Sequence, residues 1–357
     1  MKKLLALILT GTLTMGVLSA CGSTAVVAVP PPQESTPAAT EPVLEKPQET
    51  TGEPVKTGLY LSAGVSSSKS AADGEDGVGQ ADIDLVAVTV TDDGVIDSCV
   101  IDSIQSKVTF DAAGKVTADL TAPVPTKNEL GSDYGMGKYS LIGKEWNEQA
   151  QALADYVVGK TVEEIQGIAV TEEGKAADAD LASSVTVSIA GYLDAIRQAA
   201  ANAAHLGAKQ GDRLVLTTST NIANSKDATA EADGQTQTYA SVAVVTLNGE
   251  TVTSCYIDAV QVNVNFDTAG VITTDLTAAQ PSKNQLGDDY GMKKASSIGK
   301  EWYEQAAAFS TYVTGKTLDQ VAGIAVNETG AAADADLAAS VTLSLGEFQT
   351  LIAKAGD

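Results

Sequence analysis

The pattern of apolar and polar positions predicts the same order of elements twice along the chain. Four alternating or β-branched stretches are typical of strands, at residues 85–90, 95–104, 241–247 and 251–262. The turn residues Asp92-Asp93-Gly94 and Asn248-Gly249 tolerate the positive φ angles that hairpins require. A second short hairpin is predicted near residues 112–114 and again near 268–270. Each half of the chain therefore begins with antiparallel strands.

Helical periodicity follows the strands in both halves. Apolar residues recur at intervals of three and four over residues 138–158, and Gly159 and Gly315 end this helix in the two halves. Capping boxes at 161–164 and 317–320 each predict a short helix. A last amphipathic helix is predicted to begin near Ser188 and, with a capping box to Glu347, near Ser344. Strands followed by helices indicate an α+β fold.

An internal repeat accounts for this duplication. Between residues 127–149 and 283–305, 17 of 23 positions are identical at a constant offset of 156. A unit of this length is too long for a solenoid repeat and indicates a duplicated domain. We therefore predict two similar α+β domains, at residues 58–206 and 207–357, each a small antiparallel sheet with helices packed on it.

The N-terminus has the pattern of a secretion signal. Lys2 and Lys3 precede an apolar run at residues 4–17, and small residues come directly before Cys21. This resembles the lipobox of bacterial lipoproteins, in which the cysteine becomes the lipidated first residue. Residues 1–20 are thus predicted to be a signal peptide, and lipid on Cys21 to tether an extracytoplasmic protein to the cell membrane. The alternative is an uncleaved anchor, although a membrane span needs roughly 20 apolar residues.

Residues 21–57 are a linker by composition. They are rich in Pro, Glu, Thr, Ser and Ala and contain no aromatic residue. Such a segment buries too little apolar surface to offset the entropy of ordering it. We predict a disordered stalk that holds the folded part away from the membrane.

Charge and residue content exclude several classes of function. The chain has 357 residues, with 22 basic against 46 acidic groups and a net charge of −24, which repels the phosphates of nucleic acids. Three cysteines and a single histidine, His205, provide neither a structural zinc site nor a disulfide framework. No Ser-His-Asp set, phosphate loop or dinucleotide fingerprint is found in the sequence. Nucleic-acid binding and nucleotide-dependent catalysis are therefore not expected.

The segment before the last helix of each half carries the most specific pattern. It runs from Asp180 to Thr186 and from Asp336 to Thr342, with Ser184-Val185 and Ser340-Val341 directly before the threonines. This resembles the flavin-attachment segment of the FMN-binding domain family, which occurs in cell-surface flavoproteins and in sodium-pumping or electron-bifurcating membrane complexes. The family pattern is an Asp, three residues and Gly-Ala-Thr. The Asp-to-Thr spacing is the same in this chain, whereas Ser-Val replaces Gly-Ala.

The resemblance implies one FMN per domain, esterified to Thr186 or Thr342, with the neighbouring residues Asp180, Ser184, Asp336 and Ser340 around it. A hydroxyl just before a helix N-terminus lies where free N–H groups and the helix dipole favour a phosphate. The chain is accordingly expected to carry electrons at the cell surface, loaded by a flavin transferase and serving redox partners. The alternative is a surface binding or structural module that keeps the fold without flavin, its Ser and Thr hydroxyls acting as helix caps.

A loop shared by both halves is a candidate ligand rim. It contains Tyr134 and Met136, repeated as Tyr290 and Met292, and a Lys-Asn pair precedes it in each half. A buried Ω-loop would explain this loop equally well. The aromatic residues Trp146 and Trp302 lie on the apolar face of a predicted helix, where they either stack on a flavin ring or fill the core.

Other reactive residues have simpler interpretations. Cys99 and Cys255 occupy equivalent strand positions among apolar residues, so buried thiols are expected rather than redox centres. Paired aspartates at 178 and 180, and at 334 and 336, lack the ligand spacing of a calcium loop, so no metal site is predicted. We expect an electron carrier or a binding protein rather than an enzyme.

Overall fold

Two antiparallel sheets of three strands each organise the chain, in the orders β1-β2-β3 and β4-β5-β6. The computed structural model describes residues 52–357, which belong to one compact unit. The predicted signal peptide, Cys21 and most of the predicted stalk lie outside the described residues. The strands are β1 Lys56–Gly64, β2 Gly77–Val90, β3 Ile96–Phe110, β4 Arg213–Asn221, β5 Gly234–Asn248 and β6 Thr251–Phe266.

Helices follow the strands in each half, which gives the predicted α+β class. In the first half they are α1 Lys127–Leu130, α2 Trp146–Val157, α3 Val162–Gln166, α4 Ala179–Ala182 and α5 Ala190–Ala201. In the second half they are α6 Lys283–Leu286, α7 Trp302–Val313, α8 Leu318–Ala322, α9 Ala335–Ala338 and α10 Gly346–Ala353. Within residues 52–357, no helix combines the length and the apolar character needed to cross a membrane.

Each sheet is buried on both faces. Successive side chains of a strand point to opposite sides, so alternate residues pack against different layers. On β2, Val86, Val88 and Val90 pack against the helices of the first half. The alternate residues Ile83 and Leu85 face the other sheet instead. The equivalent strand of the second half, β5, divides its side chains in the same way between helices and sheet. The layers are therefore helices, sheet, sheet and helices.

The central apolar layer is built from both halves. Leu61, Ile83 and Ile104 of the first half pack in one cluster with Val242 and Val260 of the second, and all five are at most 2% exposed. Phe110 and Phe266, which end the equivalent strands β3 and β6, stack face to face with ring centroids 3.9 Å apart. A buried hydrogen bond from the Thr238 hydroxyl to the Ser106 hydroxyl, 2.8 Å long, also crosses this layer.

Loops from the two halves are exchanged around the Phe110–Phe266 stack. The Ala71 N–H donates to the Gly270 carbonyl oxygen at 2.9 Å, and the Ala228 N–H donates to the Gly114 carbonyl oxygen at 2.7 Å. These two hydrogen bonds occupy corresponding places in the two halves. Both are backbone contacts beside the aromatic stack that neither half makes alone.

Both short capping boxes and the first hairpin of each half are confirmed. Thr161 caps α3 reciprocally with Glu164, and Thr317 caps α8 reciprocally with Gln320. Strands β2 and β3, like β5 and β6, are antiparallel neighbours joined by the predicted turns. Near 112–114 and 268–270, however, the second hairpin is reduced to single bridges, Phe110 to Val116 and Phe266 to Ile272.

One helix start and one capping box are predicted wrongly. The helix expected over 138–158 begins at Trp146, because Gly143 adopts a φ of +67° that a helix cannot contain, and Glu145 caps the start. The last helices begin after Ile189 and Leu345, neither of which makes a side-chain cap. The capping box between Ser344 and Glu347 is therefore absent.

The folded part begins before residue 58. Val55 is fully buried and its N–H donates to the Ala208 carbonyl oxygen at 3.0 Å, while Thr57 is bridged to Ala204. Residues 52–57, which composition assigns to the stalk, thus run beside the segment that joins the two halves. The edge strands β1 and β4 were likewise not predicted.

The shared layer predicts that neither half unfolds alone. Replacing Phe110 by Ala should destabilise the whole unit by about 3–5 kcal/mol, since the ring is fully buried against Phe266. Trp146 and Trp302 each lie in a different half, so variants that keep one tryptophan report urea unfolding half by half. We expect both reporters to shift together. Loss of stability confined to the Trp146 reporter would contradict a common core.

Candidate functional site

The Thr186 hydroxyl is bound to a buried glutamine of helix α2. Gln149 is fully buried, and its Oε1 accepts hydrogen bonds from the Thr186 N–H at 2.7 Å, the Thr186 hydroxyl at 3.1 Å and the Val187 N–H at 3.2 Å. Its Nε2 donates to the Ser140 hydroxyl and to the Lys144 carbonyl oxygen. We call this arrangement the glutamine clamp.

The second half repeats the clamp. Gln305 is fully buried, and its Oε1 accepts from the Thr342 N–H at 2.8 Å and from the Thr342 hydroxyl at 3.1 Å. Its Nε2 donates to the Ser296 hydroxyl and the Lys300 carbonyl oxygen. The two candidate attachment threonines thus have the same environment, and each is fixed to the helix behind it.

A glycine carbonyl oxygen binds the backbone just before the last helix in each half. The carbonyl oxygen of Gly174 accepts from Ile189 N–H at 2.7 Å and Ala190 N–H at 3.1 Å, and also from the Ser188 hydroxyl. In the second half Gly330 accepts from Leu345 N–H at 2.9 Å. These donors are therefore already used, although neither helix has a side-chain cap.

The other residues of the segment that resembles the flavin-attachment pattern lie in a short helix and directly after it. Asp180 and Asp336 are exposed on α4 and α9, whose N-caps are Asp178 and Asp334. The N–H groups of Ser184 and Ser340 donate to the carbonyl oxygens of Leu181 and Leu337. Neither serine has a positive φ, so the backbone does not need the glycine of the family pattern. A phosphate ester does not fit this conformation, because each threonine hydroxyl is hydrogen-bonded to a buried glutamine.

The loop predicted as a ligand rim packs in part on the core around a lysine, and Tyr134 also lines a groove of about 250 Å³. Lys127 Nζ lies 5.1 Å from the ring centroid of Tyr134 and 5.0 Å from that of Trp146, distances typical of cation–π contact. Trp146 is 4% exposed, so its ring is not free to stack on a ligand. Met136 is partly buried against the same core.

In the second half this lysine is enclosed more fully. Lys283 is 6% exposed, with Nζ within 5.0 Å of the ring centroids of Tyr239, Tyr290 and Trp302 and 3.1 Å from the Tyr239 hydroxyl. Burial lowers the pKa of Lys283 to about 8, against the opposing charges of Glu347 and Asp258. Met292 is partly buried, and Glu301 accepts a hydrogen bond from its N–H at 2.8 Å. The four rim residues and the two tryptophans therefore belong to packed clusters.

A buried aspartate lies behind this loop in each half. Asp102 accepts from the N–H groups of Ser103 and Asn128, and Asp258 accepts from those of Ala259 and Asn284 and from the Ser282 hydroxyl. Burial raises the pKa of both carboxyl groups to about 6, although these hydrogen bonds oppose the shift. They fix the start of α1 and α6 to the strands β3 and β6.

Equivalent grooves lie between β3 and α2 and between β6 and α7. In the first half a groove of about 530 Å³ is lined by polar side chains that include Lys144, Glu148 and Asp155. In the second half a cavity of about 510 Å³ is lined by Ile257 and Tyr303, with Leu206 from the segment that joins the halves. The duplicated scaffold therefore presents two grooves with different chemistry.

The cysteines and the histidine have no arrangement for catalysis. Cys99 and Cys255 are buried free thiols as expected, and burial raises the pKa of each to about 12. His205 is exposed, with Nε2 2.9 Å from Asp92 Oδ1. Over residues 52–357, no cluster of three or more His, Cys, Asp or Glu side chains is placed to hold a metal ion.

Sequence reasoning did not identify Gln149, Gln305, Asp102 or Asp258. A signal for the glutamines was present, because Gln149 follows Trp146 by three residues and so shares the apolar face of α2. Both glutamines also fall within the segment that is nearly identical in the two halves. The grooves had no such signal, since their walls come from distant segments.

The clamp predicts a stability cost for losing the buried amide. Gln149→Leu should destabilise the unit by about 2–4 kcal/mol, because the donors of Thr186 and Val187 would face an apolar group, at roughly 1–3 kcal/mol for each orphaned donor. Thr186→Val removes one of the three hydrogen bonds and keeps the buried amide, so it serves as the matched control with a smaller loss, and urea unfolding measures both. A Leu variant as stable as the unaltered chain would rule out this role.

The buried aspartates predict a pH-dependent stability. With a folded pKa of about 6 and an unfolded value of 3.8, Asp258 stabilises the fold below pH 4, and this contribution is lost as pH rises through 6. The stability of Asp258→Asn relative to the unaltered chain should thus rise between pH 4 and 7, by at most about 1.4 kcal/mol per pH unit. Urea unfolding at several pH values measures this difference. A flat or falling difference would contradict the assignment.

Comparisons with known proteins leave the family of this chain open. No family model, no curated protein and no solved structure matches it. The resemblance to the FMN-binding domain family therefore depends on the residues quoted above alone.

Proposed function

We propose that this chain is a membrane-tethered extracytoplasmic binding protein that holds no covalent flavin. On this proposal two similar domains, at about 58–206 and 207–357, arose by duplication, and the flavin-like segment became part of the scaffold. Lipid on Cys21 would supply the tether, which rests on the N-terminal pattern alone. The protein would act through a bound ligand and not through a reaction of its own.

The observation that carries the proposal is the glutamine clamp. In both halves a fully buried glutamine accepts hydrogen bonds from the backbone N–H and from the hydroxyl of the candidate attachment threonine. An ester on Thr186 would remove the hydroxyl proton that Gln149 accepts. It would also place a negatively charged phosphodiester beside the side-chain oxygen that now accepts the hydrogen bonds of Thr186.

The second candidate is the covalent flavin carrier, with FMN on Thr186 and Thr342. One observation favours it: both threonines are only partly buried, at the family spacing, and an amphipathic helix follows each. Flavin would supply electron transfer when bound. This candidate requires a flavin transferase to draw each hydroxyl away from its glutamine.

Intact mass and visible absorption separate the two candidates. The full chain, matured as a lipoprotein and extracted in detergent, is compared with and without a co-expressed flavin transferase and added FMN. We expect a colourless protein whose mass includes lipid but no flavin, because the threonine hydroxyls are clamped. The Thr186→Ala and Thr342→Ala double variant provides the matched control.

A yellow protein heavier by one or two FMN units, with the gain abolished in the double variant, would replace the proposal with the electron carrier. Yellow colour at unmodified mass would retain flavin as a dissociable ligand and discard the ester. The first result would overturn the purely structural role of the threonines. The second would overturn the absence of flavin.

A further inference from the structure

A loop before helix α2 carries the two most exposed large apolar side chains of the described residues. Tyr139 is 87% exposed and Leu141 is 92% exposed, whereas no other large apolar residue in this part of the chain exceeds 47%. We call residues 139–142 the Tyr139 loop, and its two apolar side chains the tip. A pair of large apolar side chains this exposed indicates a contact outside the chain.

Hydrogen bonds hold the Tyr139 loop, so the exposure of its tip does not come from fraying. The N–H groups of Tyr139 and Ser140 donate to the Met136 carbonyl oxygen at 2.9 and 3.0 Å, and the Gly143 N–H donates to the Ser140 carbonyl oxygen at 3.1 Å. The Ser140 hydroxyl accepts from Gln149 Nε2 at 3.2 Å, which joins the loop to the glutamine clamp. A loop already fixed in this way loses little conformational entropy when its tip binds.

The second half has the same loop without the apolar tip. Its backbone makes the equivalent hydrogen bonds, and its serine hydroxyl again accepts from the clamp glutamine, at 3.2 Å. Ala295 and Ser297 stand where the first half has Tyr139 and Leu141. The fold therefore accepts small or polar residues at both positions, and the apolar tip is specific to the first half.

The side chains of the Tyr139 loop have the chemistry of a membrane interface. Tyrosine is enriched at the headgroup level of membranes, and leucine is favoured in the acyl region below it. Lys138 directly precedes the tip, is exposed, and takes part in no ion pair among the described residues. A lysine in this place keeps its ammonium group in water or headgroups while its stem covers apolar surface.

The small size of the tip disfavours a protein partner. Specific protein interfaces bury roughly 1,200–2,000 Å² around an apolar centre. The tip offers two apolar side chains, and the residues beside them in the chain, Lys138 and Ser140, are polar. A lipid surface requires no such complementary patch, because binding there scales with the apolar area that is inserted.

The predicted tether would keep the tip close to lipid. Thirty residues, 22–51, separate Cys21 from the start of the described chain, and a flexible segment of this length spans about 30 Å on average. Attachment at such a distance gives even a weak contact an effective concentration of about millimolar. The net charge of −24 opposes approach to anionic lipids, so insertion into a zwitterionic surface is favoured.

We propose that the Tyr139 loop inserts its tip into the lipid surface and so orients the first half toward the membrane. Leu141 enters the acyl region, and the Tyr139 ring lies at the headgroups. The inference rests on the proposed function, because it names the surface that the tethered protein contacts. The equivalent loop of the second half, with Ala295 and Ser297, makes no such contact.

Fluorescence quenching by nitroxide lipids tests the proposal. Residues 21–357 are coupled through Cys21 to a maleimide lipid in phosphatidylcholine vesicles, some of whose acyl chains carry a nitroxide. Burial raises the pKa of Cys99 and Cys255 to about 12, so these thiols react far more slowly. Tyr139→Trp places an indole at the tip, and we expect its emission to be quenched and shifted to shorter wavelength.

Matched variants isolate the contribution of the tip. Ala295→Trp puts the same reporter on the equivalent loop of the second half and should escape quenching. Tyr139→Trp with Leu141→Ser introduces the second-half serine and should reduce membrane occupancy roughly tenfold, because burial of a leucine is worth at least about that factor. The unaltered chain gives the background from the buried Trp146 and Trp302. Circular dichroism and urea unfolding check that the variants fold.

Equal quenching of the indoles at positions 139 and 295, no quenching of either, or no effect of Leu141→Ser would overturn the proposal. Quenching that requires anionic phosphatidylglycerol would also overturn it, because charge and not the apolar tip would then bind the membrane. Dimers that form without lipid and are lost in Leu141→Ser, detected by sedimentation velocity, would assign the tip to a second copy of the chain instead.

The proposed function can fail separately from this inference. The chemical tether does not depend on native lipidation, so a chain whose intact mass contains no lipid would refute the native tether and leave the quenching result standing. A natively lipidated chain whose tip is not quenched would refute insertion alone.

Discussion

The packing of one sheet against the other is the constraint on which the rest of the structure depends. Each sheet has three strands and apolar side chains on both faces, and its own helices can cover only one of those faces. The second face would be exposed to water if either half stood alone, at a cost of roughly 25 cal/mol for each Å² of apolar surface. The central cluster around Ile83, Ile104 and Val260 removes that cost for both sheets at once. Each half therefore depends on the other for the stability of the fold.

Local patterns predicted the local elements, and long-range constraints account for what was missed. The hairpin strands and the capping boxes at Thr161 and Thr317 depend on neighbouring residues, so spacing was sufficient to find them. The edge strands β1 and β4 each pair with a single neighbour, and their pattern alone did not distinguish them from flanking loops. The early start assigned to helix α2 has a different cause. Apolar periodicity continued through Gly143, whose positive φ is a backbone property that periodicity does not detect.

The candidate site likewise has one part that local spacing predicted and another that depends on long-range packing. The spacing from Asp180 to Thr186 identified the candidate attachment segment, and that segment has the same geometry in both halves. What it could not predict is the partner of the threonine, because Gln149 lies 37 residues away and meets it only when α2 packs beside the segment.

The stack of Phe110 on Phe266 has a consequence for the history of the chain. The same residue from two equivalent units meets itself across the centre, as it would on the two-fold axis of a homodimer. On the proposal that the halves arose by duplication, an ancestral single unit would have formed a symmetric dimer, in which every substitution appears twice. Fusion into one chain would have released the halves from that symmetry. Outer surfaces such as the two grooves could then diverge, one charged and one apolar, while the shared interior kept both copies alike.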